Sequence, residues 1–269
     1  NGTEEIVTSW ISTALPVSDA ALGGWTYLLE ILTGLVGSRR RCRTAPWLVL
    51  LFGLMIVPLG MTTILFIVIQ PVVLGTWSTL ALVGGAAVLI QIPYSLDELL
   101  ATAQFMRRRV RAGQPWLRVL FLGDTDELPA AGAQREDSDE FDRPLGSVLK
   151  SMVGGGVSLP WNLALAGLIG LLLLFTRGAL GAQGGLADAH HIIGCAVLTV
   201  AAIAAADIAR PARALNAVLG VGLMFTPLLF DVDTVQLAAT LGLGIALVLL
   251  SVRRGPILER YGAWNRLLV

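Results

Sequence analysis

Apolar residues in this chain run in long blocks rather than in the alternation of a half-buried strand or the narrow stripe of a surface helix. Seven blocks approach the roughly 20 residues needed to cross about 30 Å of hydrocarbon. They are Asp19–Gly37, Pro46–Val73, Thr76–Ile92, Trp161–Phe175, Ala189–Ala206, Leu215–Phe230 and Val235–Val252. In lipid every backbone N–H and C=O must be satisfied inside the segment, so such blocks predict helices. The expected fold is an all-α polytopic membrane protein with about seven transmembrane helices. Pro58 and Pro227 fall inside blocks and predict kinks whose freed carbonyls need other donors.

Polar positions gather between the third and fourth blocks, from Ser95 to Pro160. Ser95-Leu96-Asp97-Glu98 after Pro93 has a capping-box pattern, and Leu99, Leu100, Ala103, Met106 and Val110 follow at helical spacing up to the arginines at 107–111. This predicts a second helix that leaves the membrane and lies along its surface. From Asp124 to Arg143 acids predominate around Pro129 and Gly132, a composition that cannot bury a core and reads as a flexible tether. The expected division is a membrane bundle over 1–122, an acidic linker over 123–157 and a four-helix membrane module over 158–269. Within that module the stretch from Asn162 to Phe175 resembles that from Asn216 to Phe230, which predicts two repeated helical hairpins with a period of about 54 residues.

Composition agrees with the pattern. The 269 residues are 55% hydrophobic with a mean hydropathy of +0.75, and 14% are charged against about 25% in soluble domains. Neither disorder nor nucleic-acid binding fits such a chain, which carries no net charge. The charge is segregated, however. With the segment after the first block inside, the inner side collects all but Arg177 of the 19 basic residues, including Arg39–Arg43, Arg107–Arg111, Arg210, Arg213, Arg253 and Arg254. By the positive-inside rule the N-terminus lies outside and the C-terminus in the cytoplasm. Asn1 is not methionine, and an outside start predicts a preceding helix or a removed leader; Asn1-Gly2-Thr3 is also a glycosylation triplet.

Few residues carry candidate chemistry. Glu30 sits inside the first block, where it is either a functional carboxylate or the partner of the arginines at 39–43. His190 and His191 follow Asp188; adjacent helical residues point about 100° apart and cannot chelate one ion well, so no metal is expected and a polar helix start is the plainer role. Asp231 and Asp233 form an acidic turn that suits an N-cap for the last helix. Cys42 among arginines hints at a lowered thiol pKa, and Cys195 stands alone, so neither a disulfide framework nor a metal cluster is available.

Residues 3–122 resemble the bacterial form of the vitamin K epoxide reductase (VKOR) family. The resemblance rests on Ser18-Asp-Ala-Ala-Leu-Gly23, Arg43-Thr-Ala-Pro-Trp47, Pro58-Leu-Gly60 and above all the run from Gln70 through Gly75-Thr-Trp-Ser-Thr-Leu-Ala81. Residues 158–269 are similar to the SPW-repeat module, through Ser158-Leu-Pro-Trp-Asn162 and the tail Gly255–Trp264. The first resemblance implies a helix bundle in the bacterial inner membrane that passes electrons from a periplasmic thiol partner, through cysteine pairs, to a quinone. It also implies that the Cys-x-x-Cys pair falls at Ser78 and Ala81 and the nearest outer-loop cysteine at about Thr3. With serine, alanine and threonine there, thiol-disulfide exchange is not expected. Trp77, Ser78 and Thr79 either line an inherited quinone pocket, or Trp77 belongs to the interfacial belt and Ser78 caps the helix. The alternative function is a non-enzymatic assembly protein that binds lipid and a membrane partner through glycine- and alanine-rich helix faces.

Overall fold

The computed structural model describes residues 2–10, 12, 19–35, 41–124 and 157–257. Among these the regular structure is helical, and the only extended pairing is an isolated antiparallel bridge between Val157 and Ala206. The main helices are α1 (Gly2–Val7), α2 (Asp19–Leu35), α3 (Pro46–Ile69), α4 (Thr79–Arg111), α5 (Trp116–Leu122), α6 (Trp161–Leu174), α7 (Gly184–Ala205), α8 (Ala214–Phe225) and α9 (Thr234–Val252), with short helical turns at Arg41–Thr44, Thr176–Ala179, Asp207–Arg213 and Thr226–Leu228. Each of the seven apolar blocks therefore contains a helix among the described residues. Four described helices, α3 with the turn that follows it, α4, α7 and α9, are long and apolar enough to cross a bilayer. The 14 residues of α6 reach only about 21 Å at 1.5 Å per residue, and the 12 of α8 less; 17 residues of α2 are described.

One boundary differs from expectation. The third block and the supposed surface helix are a single 33-residue helix, α4, with Pro93 and Ser95 buried inside it. An internal proline removes one hydrogen bond without ending a helix that tertiary packing holds on both sides. The helix stops instead at Ala112, whose N–H returns to Arg108 O at 3.0 Å, and at Gly113 with φ of 87°. The acidic tether lies outside the described residues except at its start. There Asp124 is ion-paired with Arg109 and donates its N–H to Arg43 O at 3.0 Å.

The C-terminal helices form two hairpins, α6–α7 and α8–α9, whose equivalent contacts recur every 50 residues rather than 54. A Cβ on Gly194 would stand 2.7 Å from Gly170 O, and one on Gly244 would stand 2.8 Å from Gly220 O. Thr176 Oγ1 donates to Leu173 O, and Thr226 Oγ1 to Leu223 O. The buried cluster of Leu173, Val197, Leu223 and Leu247 obeys the same offset. A four-residue error is about one helical turn and leaves the apolar face unchanged, so the sequence pattern cannot detect it. His190 and Thr240 also stand in this relation, and they meet between α7 and α9, with His190 Nε2 3.3 Å from Thr240 Oγ1.

Helix α7 joins the two ends of the chain. Half of its apolar window is buried, against 17% for α3 and 22% for α4 and α9, because it packs on α6 and α8 and also on α3 and α4. Many of the large side chains on the other spans, such as Leu54, Met61, Leu80, Leu168 and Leu249, are exposed, as lipid-facing residues must be. Arg210, one of the basic residues counted on the inner side, is buried and bound to Asp207 and Ser158, and Asn162 Nδ2 donates to Arg253 O at 2.8 Å.

Candidate functional site

The site is built on the connection between α3 and α4. Helix α3 cannot continue regularly beyond Ile69, because Pro71 has no N–H to return to Ile67 O. The chain winds instead through a wide π turn, Gln70–Leu74, and closes at Gly75 with φ of 67°. Only glycine takes that left-handed conformation without strain. The N–H groups of Gly75 and Thr76 both return to Gln70 O. The buried Gln70 side chain then ties the two limbs together, its Oε1 accepting Ser78 N–H at 3.0 Å.

Ser78 is the N-cap of α4, with extended backbone and a side-chain oxygen that accepts Ala81 N–H at 3.3 Å. Its hydroxyl lies 3.1 Å from Thr3 Oγ1 on α1. The fold thus brings together two residues 75 positions apart, where the resemblance places two family cysteines. Thr79 opens α4 and is exposed, and Ala81 is half-buried. Trp77 faces the C-terminal helices: its ring stacks on Phe175 at 5.6 Å and meets the edge of His191 at 5.0 Å. Clefts of about 260 Å³ beside Ala21, Gly24, Trp25 and Leu28, and about 440 Å³ beside Leu165, Leu168 and Ala246, lie away from the hydroxyl pair.

His191 is the residue that the sequence reading undervalued. The helix starts at Gly184, ahead of both histidines, and both are buried within the protein. His191 Nε2 sits 3.0 Å from Ile67 O, the carbonyl that Pro71 leaves without its helical donor. Nearby Arg177 donates to Pro71 O at 3.2 Å and is ion-paired with Asp188. The signal for this arrangement was Pro71 itself, since a carbonyl freed in a membrane must find another donor.

The remaining candidates separate from the site. Glu30 is buried on α2 and accepts from Gln91 Nε2 at 3.4 Å, while Arg39 and Arg40 lie outside the described residues. Asp233 forms a complete capping box with Gln236, and Asp231 is exposed. Among the described residues no three His, Cys, Asp or Glu side chains gather as metal ligands. Burial pushes the Cys42 thiol pKa up, outweighing the lowering effect of Arg43, which reverses the hint from its arginine neighbours. Cys195 is buried with its sulfur 3.7 Å from His191 Nε2, facing the histidine and not Ser78. Asn1, and with it the glycosylation triplet, lies partly outside the described residues.

Residues 1–96 match the model of the vitamin K epoxide reductase family. No curated protein and no solved structure matches the chain. The matched part holds both members of the hydroxyl pair, and the chain is a membrane protein whose N-terminal region is VKOR-like.

Proposed function

We propose that this chain is a VKOR-like membrane protein that has lost thiol-disulfide exchange and retains, at most, quinone binding. The contact of Thr3 Oγ1 with Ser78 Oγ carries the reading. Exchange needs a thiolate to attack a disulfide sulfur, and two alcohols offer neither a usable anion at neutral pH nor a sulfur to be attacked. Ala81 provides no reactive group, Cys195 is turned toward His191, and Cys42 belongs to a separate turn at Arg41–Thr44.

The same pair supports a limited quinone site. In a hydroxyl–hydroxyl contact one group donates to the other, and the acceptor's own hydrogen is left for a further oxygen, here a quinone carbonyl. Trp77 contributes less than expected because Phe175 stacks on it. A bound quinone would supply an electron acceptor; the chain supplies only a hydrogen bond from Thr3 or Ser78 and an apolar surround. The test uses purified protein with a dithiol donor and a soluble quinone. No quinone reduction is expected, while the quinone should quench tryptophan fluorescence saturably and bind more weakly to Thr3→Val. Turnover at a rate above the buffer control would overturn the first half, and unsaturable quenching the second.

The alternative, a non-enzymatic assembly or partner-binding membrane protein, is favoured by the use of Trp77 in packing against the C-terminal helices. In either case we place the protein in a bacterial inner membrane, N-terminus outside, with an SPW-repeat-like module over 158–269. The segregation of arginines and the Pro160-Trp161-Asn162 junction support this, with Arg253 5.5 Å from the Trp161 ring.

A further inference from the structure

We infer that the C-terminal hairpin α6–α7 is the fixture that holds the turn of the candidate site, with His191 and Arg177 as its positioning residues. The Gln70–Gly75 turn has hydrogen bonds of its own at Gln70, but they leave its proline unsupported. Pro71 deprives Ile67 O of its helical donor, and a bare carbonyl inside a membrane protein costs as much as a lost hydrogen bond or more. His191 Nε2 reaches that oxygen at 3.0 Å from the other half of the chain, 124 positions away. Where the turn begins, Pro71 O accepts from Arg177 at 3.2 Å, and Asp188 pairs with the same guanidinium. Beyond the glycine, Trp77 is held between Phe175 and His191, and the next residue is Ser78. Two carbonyls and one indole on either side of Gly75 are thus gripped by α7 and by the turn before it.

A hydrogen bond from His191 fixes the height of the turn, and the turn fixes Ser78 through Gln70 Oε1. Thr3 comes from α1 and is not touched by these residues in the described contacts, so the Thr3–Ser78 separation reports how well the fixture works. The inference stands whether or not a quinone binds.

The experiment converts this separation into a covalent readout. In the full chain with Cys42→Ser, the pair Thr3→Cys and Ser78→Cys is introduced, and disulfide formation under a mild copper oxidant is followed by peptide mass in lipid nanodiscs. The parent is expected to cross-link readily. Adding His191→Ala should slow cross-linking about tenfold, the value of one net hydrogen bond, and Arg177→Gln should slow it by a smaller factor. His191→Gln, which keeps a donor at the same reach, should recover most of the rate, whereas His191→Phe, which keeps the ring but has no donor, should not. Equal rates in the parent, His191→Phe and Arg177→Gln would overturn the inference. If His191→Ala fails to fold, the other three variants decide the matter, because Arg177 is partly exposed and the two His191 replacements preserve bulk.

Discussion

Gly75 is a single position on which the turn depends. With φ at 67°, a Cβ there is strained although no neighbouring atom crowds it. Gly75→Ala should lower stability by about 1 kcal/mol, measured by denaturant titration of the solubilised protein; no loss would mean that the turn relaxes to another conformation. Cys42 offers a pH test. Because burial raises its pKa, the thiolate fraction near neutral pH is smaller than that of a free cysteine, and its iodoacetamide reactivity should rise at higher pH than for a small-molecule thiol. A midpoint at or below the free-thiol value would contradict this. Ser78 as a helix cap was legible from its place before an apolar run. Its contact with Thr3 was not, since no local rule links positions 75 apart, and the resemblance marked the two only as positions of family cysteines. His191 shows the opposite failure. The demand for a donor was written in Pro71, but the residue supplying it lies in another helix, and periodicity says nothing about which helices touch.

Helices were easier to read than their ends. Continuous apolar blocks located all seven, yet Pro93 followed by a capping-box pattern suggested a break where α4 runs on through buried contacts. The hairpin repeat was visible, but its register slipped by about one turn, and the glycine and threonine contacts fix it at 50. These contacts also make a paired prediction. Gly194→Leu would drive its side chain into Gly170 O and Leu173 Cβ, at 2.7 and 2.9 Å from the first added atom, and should destabilise the protein by about 1–3 kcal/mol. Gly222→Ala, with nothing within 4 Å of its Cβ, should be neutral or slightly stabilising through better helix propensity. Thermal unfolding in detergent compares the two; equal effects would disprove the close approach of α6 and α7.

At the level of the molecule, contacts between described helices join the two halves. Helix α7 packs on α3 and α4, and the Ile67, Pro71 and Trp77 contacts add polar and aromatic links across the junction. A protease site placed within 125–156 and cleaved after purification should therefore leave two fragments that co-elute in mild detergent. Fragments that separate at once would show the junction to be weak. Hydropathy and arginine placement gave the membrane class and an expected sidedness, because both are properties of segments. They gave no information on docking, which depends on pairs.

The duplicated hairpins share a backbone plan and differ in what they can grip. Fifty positions after His191 stands Leu241, after Arg177 stands Pro227, and after Asp188 stands Ala238. The second copy repeats the glycine crossing and the Phe–Thr corner but none of the polar hooks. A near-symmetric unit has in this way acquired a front and a back. Turned about its own axis, the module would set Leu241 where His191 stands and offer the Ile67 carbonyl no side-chain donor, so polar groups present on one hairpin and missing from the other mark which of them faces the N-terminal helices.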